Sequence, residues 1–193
     1  MLRGIDISRH NAKMLPNFND YDFVIMKATE GSSYKDPYLD IYYDLLHGKK
    51  DGQPDNKKLY GFYHYAHPEN NHWENEAKNF LKAIGHHAGH CLFILDWEGK
   101  ALKHSISWAL KWLNYVYAMT GVKPLIYTQA SYTDRLGCIA KNDYGLWVAH
   151  YNVKKPKTGA YKYYALWQFT DEPHDINYFN GTKEAFRKYC AVD

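Results

Sequence analysis

Four acidic residues stand where strand-like runs begin or end. Asp6 interrupts the apolar segment Gly4-Ile5-Asp6-Ile7. Asp96 and Glu98 close the run Leu92-Phe93-Ile94-Leu95-Asp96-Trp97-Glu98, and Asp175 opens a late strand segment. Residues i and i+2 of a strand project to the same side. Asp96 and Glu98 therefore share a face, with Cα atoms about 7 Å apart at a rise of ~3.3 Å per residue. Two carboxylates on one face repel, and partial burial penalises their charged forms. Both effects lift at least one pKa toward the range in which a carboxyl acts as a general acid. An Asp-x-Glu by itself is also what a strand end meeting water looks like.

The surrounding residues change that balance. Aromatic side chains make up 17% of the chain, with 6 Trp, 19 Tyr and 8 Phe. They collect at other strand ends, as Tyr63, His64 and Tyr65, then Tyr127, then Trp147 and Tyr151, then Trp167 beside Gln168. A ring with a flat apolar face and a polar tip suits a sugar, although each of these residues singly also fits a packed core. Several carboxylates in an aromatic cleft are the constellation of a glycosidase. One acid protonates the leaving oxygen and another negative group stabilises an oxocarbenium-like centre.

Something must hold these acids together. Strand patterns are expected at Arg3–Ile7, Phe23–Lys27, Leu59–Tyr65, Cys91–Trp97, Pro124–Thr128, Gly145–Ala149, Tyr163–Phe169 and Asp175–Tyr178. Helical stripes run from Leu39 to Leu46 and from Trp73 to Ile84, the first closed by Gly48 and the second by Gly85. A third runs from a Ser105 cap to Gly121, a short helix covers Ser131–Leu136, and a terminal helix covers Thr182–Cys190. A first helix somewhere in Asn11–Tyr21 has the faintest pattern. Alternating strands and helices imply a parallel α/β sheet, since parallel strands need crossovers. A chain of 193 residues is too short for eight full βα units, which take about 250. Five βα units followed by three bare strands fit in one domain spanning residues 1–193.

At these residues the sequence resembles glycoside hydrolase family 25, the muramidases of the Chalaropsis-type lysozyme group. The matching segments are Gly4-Ile5-Asp6-Ile7-Ser8, Lys27-Ala28-Thr29-Glu30-Gly31 with Tyr34 and Asp36, and Gly61-Phe62-Tyr63-His64-Tyr65. Leu95-Asp96-Trp97-Glu98, Pro124-Leu125-Ile126-Tyr127, Leu146-Trp147-Val148-Ala149-His150-Tyr151, Leu166-Trp167-Gln168-Phe169 and Asp175-Ile176-Asn177 follow in the family's order. The resemblance implies an irregular, flattened TIM-like (β/α)5(β)3 barrel. It implies cleavage of the β-1,4 bond between N-acetylmuramic acid and N-acetylglucosamine in peptidoglycan, through a substrate-assisted route. Glu98 would be the general acid, and Asp6, Asp96 and Asp175 would complete an acidic floor. Asp96 or Asp175 would orient the substrate N-acetyl group or stabilise charge at the anomeric carbon. Tyr63, Tyr65, Tyr127, Trp147, Tyr151, Trp167 and Gln168 would line the cleft. Glu30 would be a supporting acid and His64 a packed, hydrogen-bonded residue. The chain departs from the family at Arg9-His10-Asn11, where many members carry Gln-Gly or a Trp. Its Lys49–Lys58 stretch also resembles a longer loop than usual, and no wall-binding repeats follow.

Composition narrows the remaining classes. A net charge of +3 with basic residues scattered apart from Lys154-Lys155-Pro156-Lys157 and Lys49–Lys58 argues against nucleic acid as partner. The apolar run Cys91–Leu95 is far short of the roughly 20 residues of a membrane span. Three widely spaced cysteines without C-x-x-C read as reduced thiols. His86, His87 and His90 lie in a segment punctuated by Gly85 and Gly89 with no adjacent acidic ligand, so no metal or other cofactor is expected. The expected partner is the peptidoglycan glycan strand, met by a monomer. No apolar leader is visible at the start, which implies action on the wall outside the cell after loss of a leader or release by a phage-type route. Two alternatives remain at this point: a glycosidase of another N-acetylhexosamine polymer such as chitin, and a non-catalytic wall-binding module.

Overall fold

The computed structural model describes residues 1–47 and 58–192. The expected Lys49–Lys58 loop, apart from Lys58, and Gly48 as a helix stop lie outside them. Among the described residues there are nine strands: β1 (Leu2–Ile7), β2 (Phe23–Glu30), β3 (Tyr34–Lys35), β4 (Leu59–Tyr65), β5 (Leu92–Asp96), β6 (Leu125–Gln129), β7 (Gly145–Ala149), β8 (Leu166–Thr170) and β9 (Ile176–Phe179). The α-helices are α1 (Leu39–His47), α2 (Trp73–Ile84), α3 (Ile106–Thr120), α4 (Gly137–Lys141) and α5 (Lys183–Cys190).

Eight of the strands close a ring. β1, β2, β4, β5, β6, β7 and β8 run parallel to their neighbours, and β9 joins β8 to β1 antiparallel on both sides. The two-residue β3 pairs antiparallel with β2 outside the ring. Helices fill the crossovers from β2 to β7, and none separates β7, β8 and β9. This is the expected flattened (β/α)5(β)3 barrel, with two amendments. The stretch expected as a short helix, Ser131–Leu136, is largely a 3-10 turn, Ala130–Arg135, and α4 follows it. The first crossover holds two short 3-10 turns, Arg9–Asn11 and Phe18–Asp20, in place of an α-helix. Pro16 biases Leu15 away from helical angles. The side chains of Ser8 and Asn17 cap the two turns by accepting the backbone N–H groups of His10 and Asn19.

Strand alternation sorts the side chains into two cores. Phe23, Ile25, Leu59, Leu92, Ile94, Leu125, Leu166 and Phe179 fill the barrel. Val24, Met26, Phe62, Phe93, Leu95, Ile126, Leu146 and Val148 face outward and meet α1, α2 and α3. The ring is narrow enough that some inward positions carry no side chain: a Cβ on Gly4 would fall 2.4 Å from the Phe23 ring, and one on Gly145 would fall 2.3 Å from Leu125. At the amino ends of the strands α5 closes the barrel, with Phe186 tilted against Phe23 at 5.4 Å and edge-on to Phe179 at 5.1 Å. The carboxyl ends are left open. Helix α3 begins at a Ser105 cap and stops at Gly121, whose φ of 69° is left-handed, a conformation that favours glycine.

Candidate active site

The inward positions turn polar at the carboxyl ends of the strands. Asp6 is the last inward residue of β1 and is only 8% exposed. Its Oδ2 accepts two amide donors, Gln168 Nε2 at 2.9 Å and Asn177 Nδ2 at 2.7 Å. Gln168 Nε2 also reaches Asp175 Oδ1 at 3.4 Å, and the Asp6 backbone N–H donates to the Asp175 carbonyl at 3.1 Å. The Gln168 oxygen is fixed in turn by the hydroxyls of Tyr127 at 2.9 Å and Tyr151 at 2.6 Å. Asn177 Oδ1 accepts the indole N–H of Trp147 at 2.8 Å. One amide on β8 and one on β9 thus hold two acids, two tyrosines and a tryptophan in register.

Asp96 ends β5, with Tyr65 of β4 and Tyr127 of β6 as its strand partners. It is buried, and its Oδ1 has no hydrogen-bond partner among the described residues. Glu98 lies two residues on, half-buried, at the start of the 3-10 turn Gly99–Lys103. That turn passes so close to the site that a Cβ on Gly99, at φ +56°, would fall 2.8 Å from the Tyr65 hydroxyl.

Electrostatics follow from this crowding. Burial and the Asp175 charge push the Asp6 carboxyl well above its ordinary range, against the two amide donors. Burial and the Glu98 charge do the same to Asp96, with Lys27 opposing. Glu98 is raised by burial, again against Lys27. Asp175 is pushed up to about 6 by burial, Asp171 and Glu98. The phenol of Tyr65 is pushed up to about 12 by burial, Asp96 and Glu98, while Tyr63, Tyr127 and Tyr151 are also raised by burial and neighbouring carboxylates. These groups are neutral hydroxyls at ordinary pH; Tyr127 and Tyr151 spend their protons on Gln168 and can only accept from a sugar hydroxyl.

The structure therefore gathers Asp6, Asp96, Glu98, Asp175, Tyr63, Tyr65, Tyr127, Tyr151 and Gln168 around one opening. Trp147 sits a layer lower, 2% exposed and edge-on to Tyr127 at 4.7 Å, so it supports the floor from beneath. Trp167 does not join the group. Being one residue before inward-facing Gln168, it projects to the outer face, where it packs with Tyr164, Phe169 and Tyr178 and donates to the His150 carbonyl. His64 also faces outward, fully buried, between Thr29 Oγ1 and Glu76 Oε2 at 2.8 Å each and stacked on Trp112. Glu30 is bound by Lys27 and by His67. Among the described residues no three His, Cys, Asp or Glu side chains are placed to hold a metal ion, and Cys91, Cys138 and Cys190 are free thiols.

Asn177 and Lys27 are absent from the site residues expected of the sequence, yet the sequence carries a signal for both. Lys27 is a charge inside the apolar strand Phe23-Val24-Ile25-Met26-Lys27-Ala28, as anomalous there as Asp6 is in β1. Asn177 is two residues from Asp175, the same i, i+2 spacing that pairs Asp96 with Glu98.

Carboxyls that the fold itself pushes toward neutrality, held at the open end of a strand barrel, are what acid-assisted cleavage of a glycosidic bond requires. The family model for glycosyl hydrolases family 25 matches residues 5–177. The chain belongs to that family. Its relatives include the uncharacterized protein YegX of Escherichia coli K12, 32% identical over 212 residues, a match covering 97% of this chain and 73% of that protein. The N,O-diacetylmuramidase of Chalaropsis sp is 27% identical, over 98% of this chain and 99% of its own. Among solved structures, a family GH25 lysozyme from Aspergillus fumigatus matches with a TM-score of 0.77 at 28% identity, covering 98% of this chain and 99% of that one.

Proposed function

We propose that this glycoside hydrolase is a peptidoglycan muramidase, cleaving the β-1,4 bond between N-acetylmuramic acid and N-acetylglucosamine with Glu98 as general acid. The observation that carries the reading is the Asp96–Glu98 pair at the carboxyl end of β5, crowded by Asp6 and Asp175 and walled by tyrosines. Burial keeps a larger fraction of Glu98 protonated at mildly acidic pH than an exposed glutamate would be, so it can deliver its proton to the leaving oxygen. Negative charge on the floor then stabilises the anomeric centre, or holds the substrate acetamide for attack from within the sugar. The tyrosine hydroxyls fix the sugar rings, and Gln168 and Asn177 hold the floor in place. The partner is the glycan strand, met by a monomer at the wall outside the membrane. The muramidase and lysozyme names of the Chalaropsis and Aspergillus fumigatus relatives support the same substrate.

Digestion of purified peptidoglycan, followed by mass spectrometry of the new reducing ends, tests the reading. Muramic-acid ends are expected, with chitin oligomers left intact. Glu98→Gln keeps the shape of the side chain and should reduce the rate by about 10²–10⁴-fold. Glucosamine ends, or wild-type rates from that variant, would overturn the assignment.

A further inference from the structure

We propose that Lys27 is a positioning residue of this site: its ammonium, anchored on Glu30 and laid against the Tyr65 ring, is the counter-charge that Asp96 and Glu98 share. Lys27 is the last inward residue of β2 before the irregularity in the β2–β4 pairing, and its register partner is Tyr63. By strand alternation, it is the only cation at an inward position of the described ring strands. Its side chain is 12% exposed, and a charge so withdrawn from water needs anions around it.

The groups facing it come from every neighbouring element. Glu30 of its own strand accepts its hydrogen bond at 2.5 Å. Tyr34 of β3 and Tyr65 of β4 present rings whose centroids lie 5.9 Å and 4.9 Å from Nζ. Arg9 lies over Tyr34 at 5.7 Å. Asp96 at the end of β5 and Glu98 just beyond it are the site carboxyls that feel its charge. Glu30 does not cancel the ammonium by itself, because its second oxygen is taken by His67 Nε2 at 2.6 Å, and His67 Nδ1 is bound by Glu69 at 2.9 Å. Glu30 thus divides its charge between two cations. Lys27 retains a field that opposes the upward push on both Asp96 and Glu98. Without it, Asp96 and Glu98 would both drift toward the protonated form, and the floor would lose negative charge that stabilises the anomeric centre.

Removing the ammonium favours the protonated form of both carboxyls, so the acidic limb and the alkaline limb of the pH–rate profile both move to higher pH. Lys27→Met is expected to move them by roughly half to one pH unit, less than the 1–3 expected of a direct ion pair. Glu30→Gln frees the ammonium and should move both limbs to lower pH. Lys27→Arg, which keeps the charge, should restore the wild-type limbs even at a reduced rate. A lysine that only held the strand end in shape would lower the rate equally at all pH values and leave the limbs where they are, and that result would overturn the proposal. The kinetic arm rests on the muramidase reading, so a second readout stands apart from it. Carbon-13 titration of the Asp96 and Glu98 carboxyls by NMR should show the same opposite movements in Lys27→Met and Glu30→Gln without any substrate. Unmoved carboxyl titrations refute the role of Lys27, whereas moved titrations in a protein that leaves peptidoglycan intact refute only the substrate. If Lys27→Met fails to fold, Glu30→Gln and Lys27→Arg decide the question.

Discussion

Asp175 offers a test that needs no substrate. Burial and the charges of Asp171 and Glu98 lift its carboxyl from the ordinary 3.8 to about 6. A carboxyl whose pKa is higher in the folded protein than in the unfolded chain contributes its stability in full below the unfolded value. That contribution is lost as the pH rises through the folded value. At pH 3.5 Asp175 therefore costs nothing. At pH 7 it is ionised, and a pKa raised by about two, at ~1.36 kcal/mol for each pH unit, amounts to about 3 kcal/mol. Solvent reaches part of this half-buried side chain and screens it, which brings the figure nearer about 2 kcal/mol. Asp175→Asn keeps the shape and retains an acceptor for Gln168 Nε2. For a chain of this size about 2–4 °C of Tm accompany each kcal/mol, so the variant should melt about 4–8 °C above the wild type at pH 7 and with it at pH 3.5. Thermal melts of both proteins by circular dichroism at pH 3.5, 5, 6 and 7 give the difference directly. Glu30 and Glu69, whose carboxyls are held low by their partners, titrate alike in both proteins and cancel. A difference that is flat with pH, or that falls as pH rises, refutes the reasoning. The gain in stability should come with a loss of turnover, as expected where an acid is kept for chemistry at a cost to the fold.

Two further substitutions probe the scaffold. Gly4→Ala places a methyl 2.4 Å from the ring of the fully buried Phe23, which is itself wedged against Phe186. It should destabilise by about 1–3 kcal/mol, read as a lower denaturation midpoint in guanidinium; an unchanged midpoint means the barrel interior yields more easily than its packing implies. Asn177→Leu strips one of two donors from Asp6 and strands the Trp147 indole N–H. The loss should be about 2–4 kcal/mol, with activity falling further than stability, and a Leu variant as stable as wild type would show that the amide network contributes nothing to the fold.

Much of this was readable from residue order because strand alternation and the carboxyl-end rule are local consequences of backbone geometry. β4, β7 and α2 occupy the expected boundaries, and Ser105 and Gly121 cap α3 where their chemistry predicts. Asp6 and Asp96 stand at a fixed parity in β1 and β5, whereas Glu98 and Asp175 fall just outside β5 and β9. Parity also explains the miss at Trp167: its neighbour Gln168 faces in, so Trp167 has to face out. The first crossover resisted reading because Ser8, Pro16 and Asn17 favour capped turns over a helix. The aromatic richness misled in part. Trp97, Trp112, Phe62, Phe80 and Phe93 fill the layer between barrel and helices, and four tyrosines serve the opening. Burial of an aromatic ring depends on which element covers it, and that is a tertiary fact.

The unequal treatment of the acids bears on their roles. Asp6 receives two short amide donors on a single oxygen, so its orientation is fixed before any substrate arrives. Asp175 shares one of those amides and sits nearer solvent. Asp96 is as buried as Asp6, yet its Oδ1 meets no donor. A buried carboxylate oxygen without a donor costs free energy that an incoming N–H group recovers, whereas Asp6 is already anchored by two donors on Oδ2. If the floor holds a substrate acetamide by its N–H, the unsatisfied oxygen favours Asp96 over Asp175 and over Asp6 as the acceptor. It also gives a reason for Lys27 to stand near Asp96: an unsatisfied carboxylate keeps its charge for a ligand only while a cation close by offsets the push toward protonation.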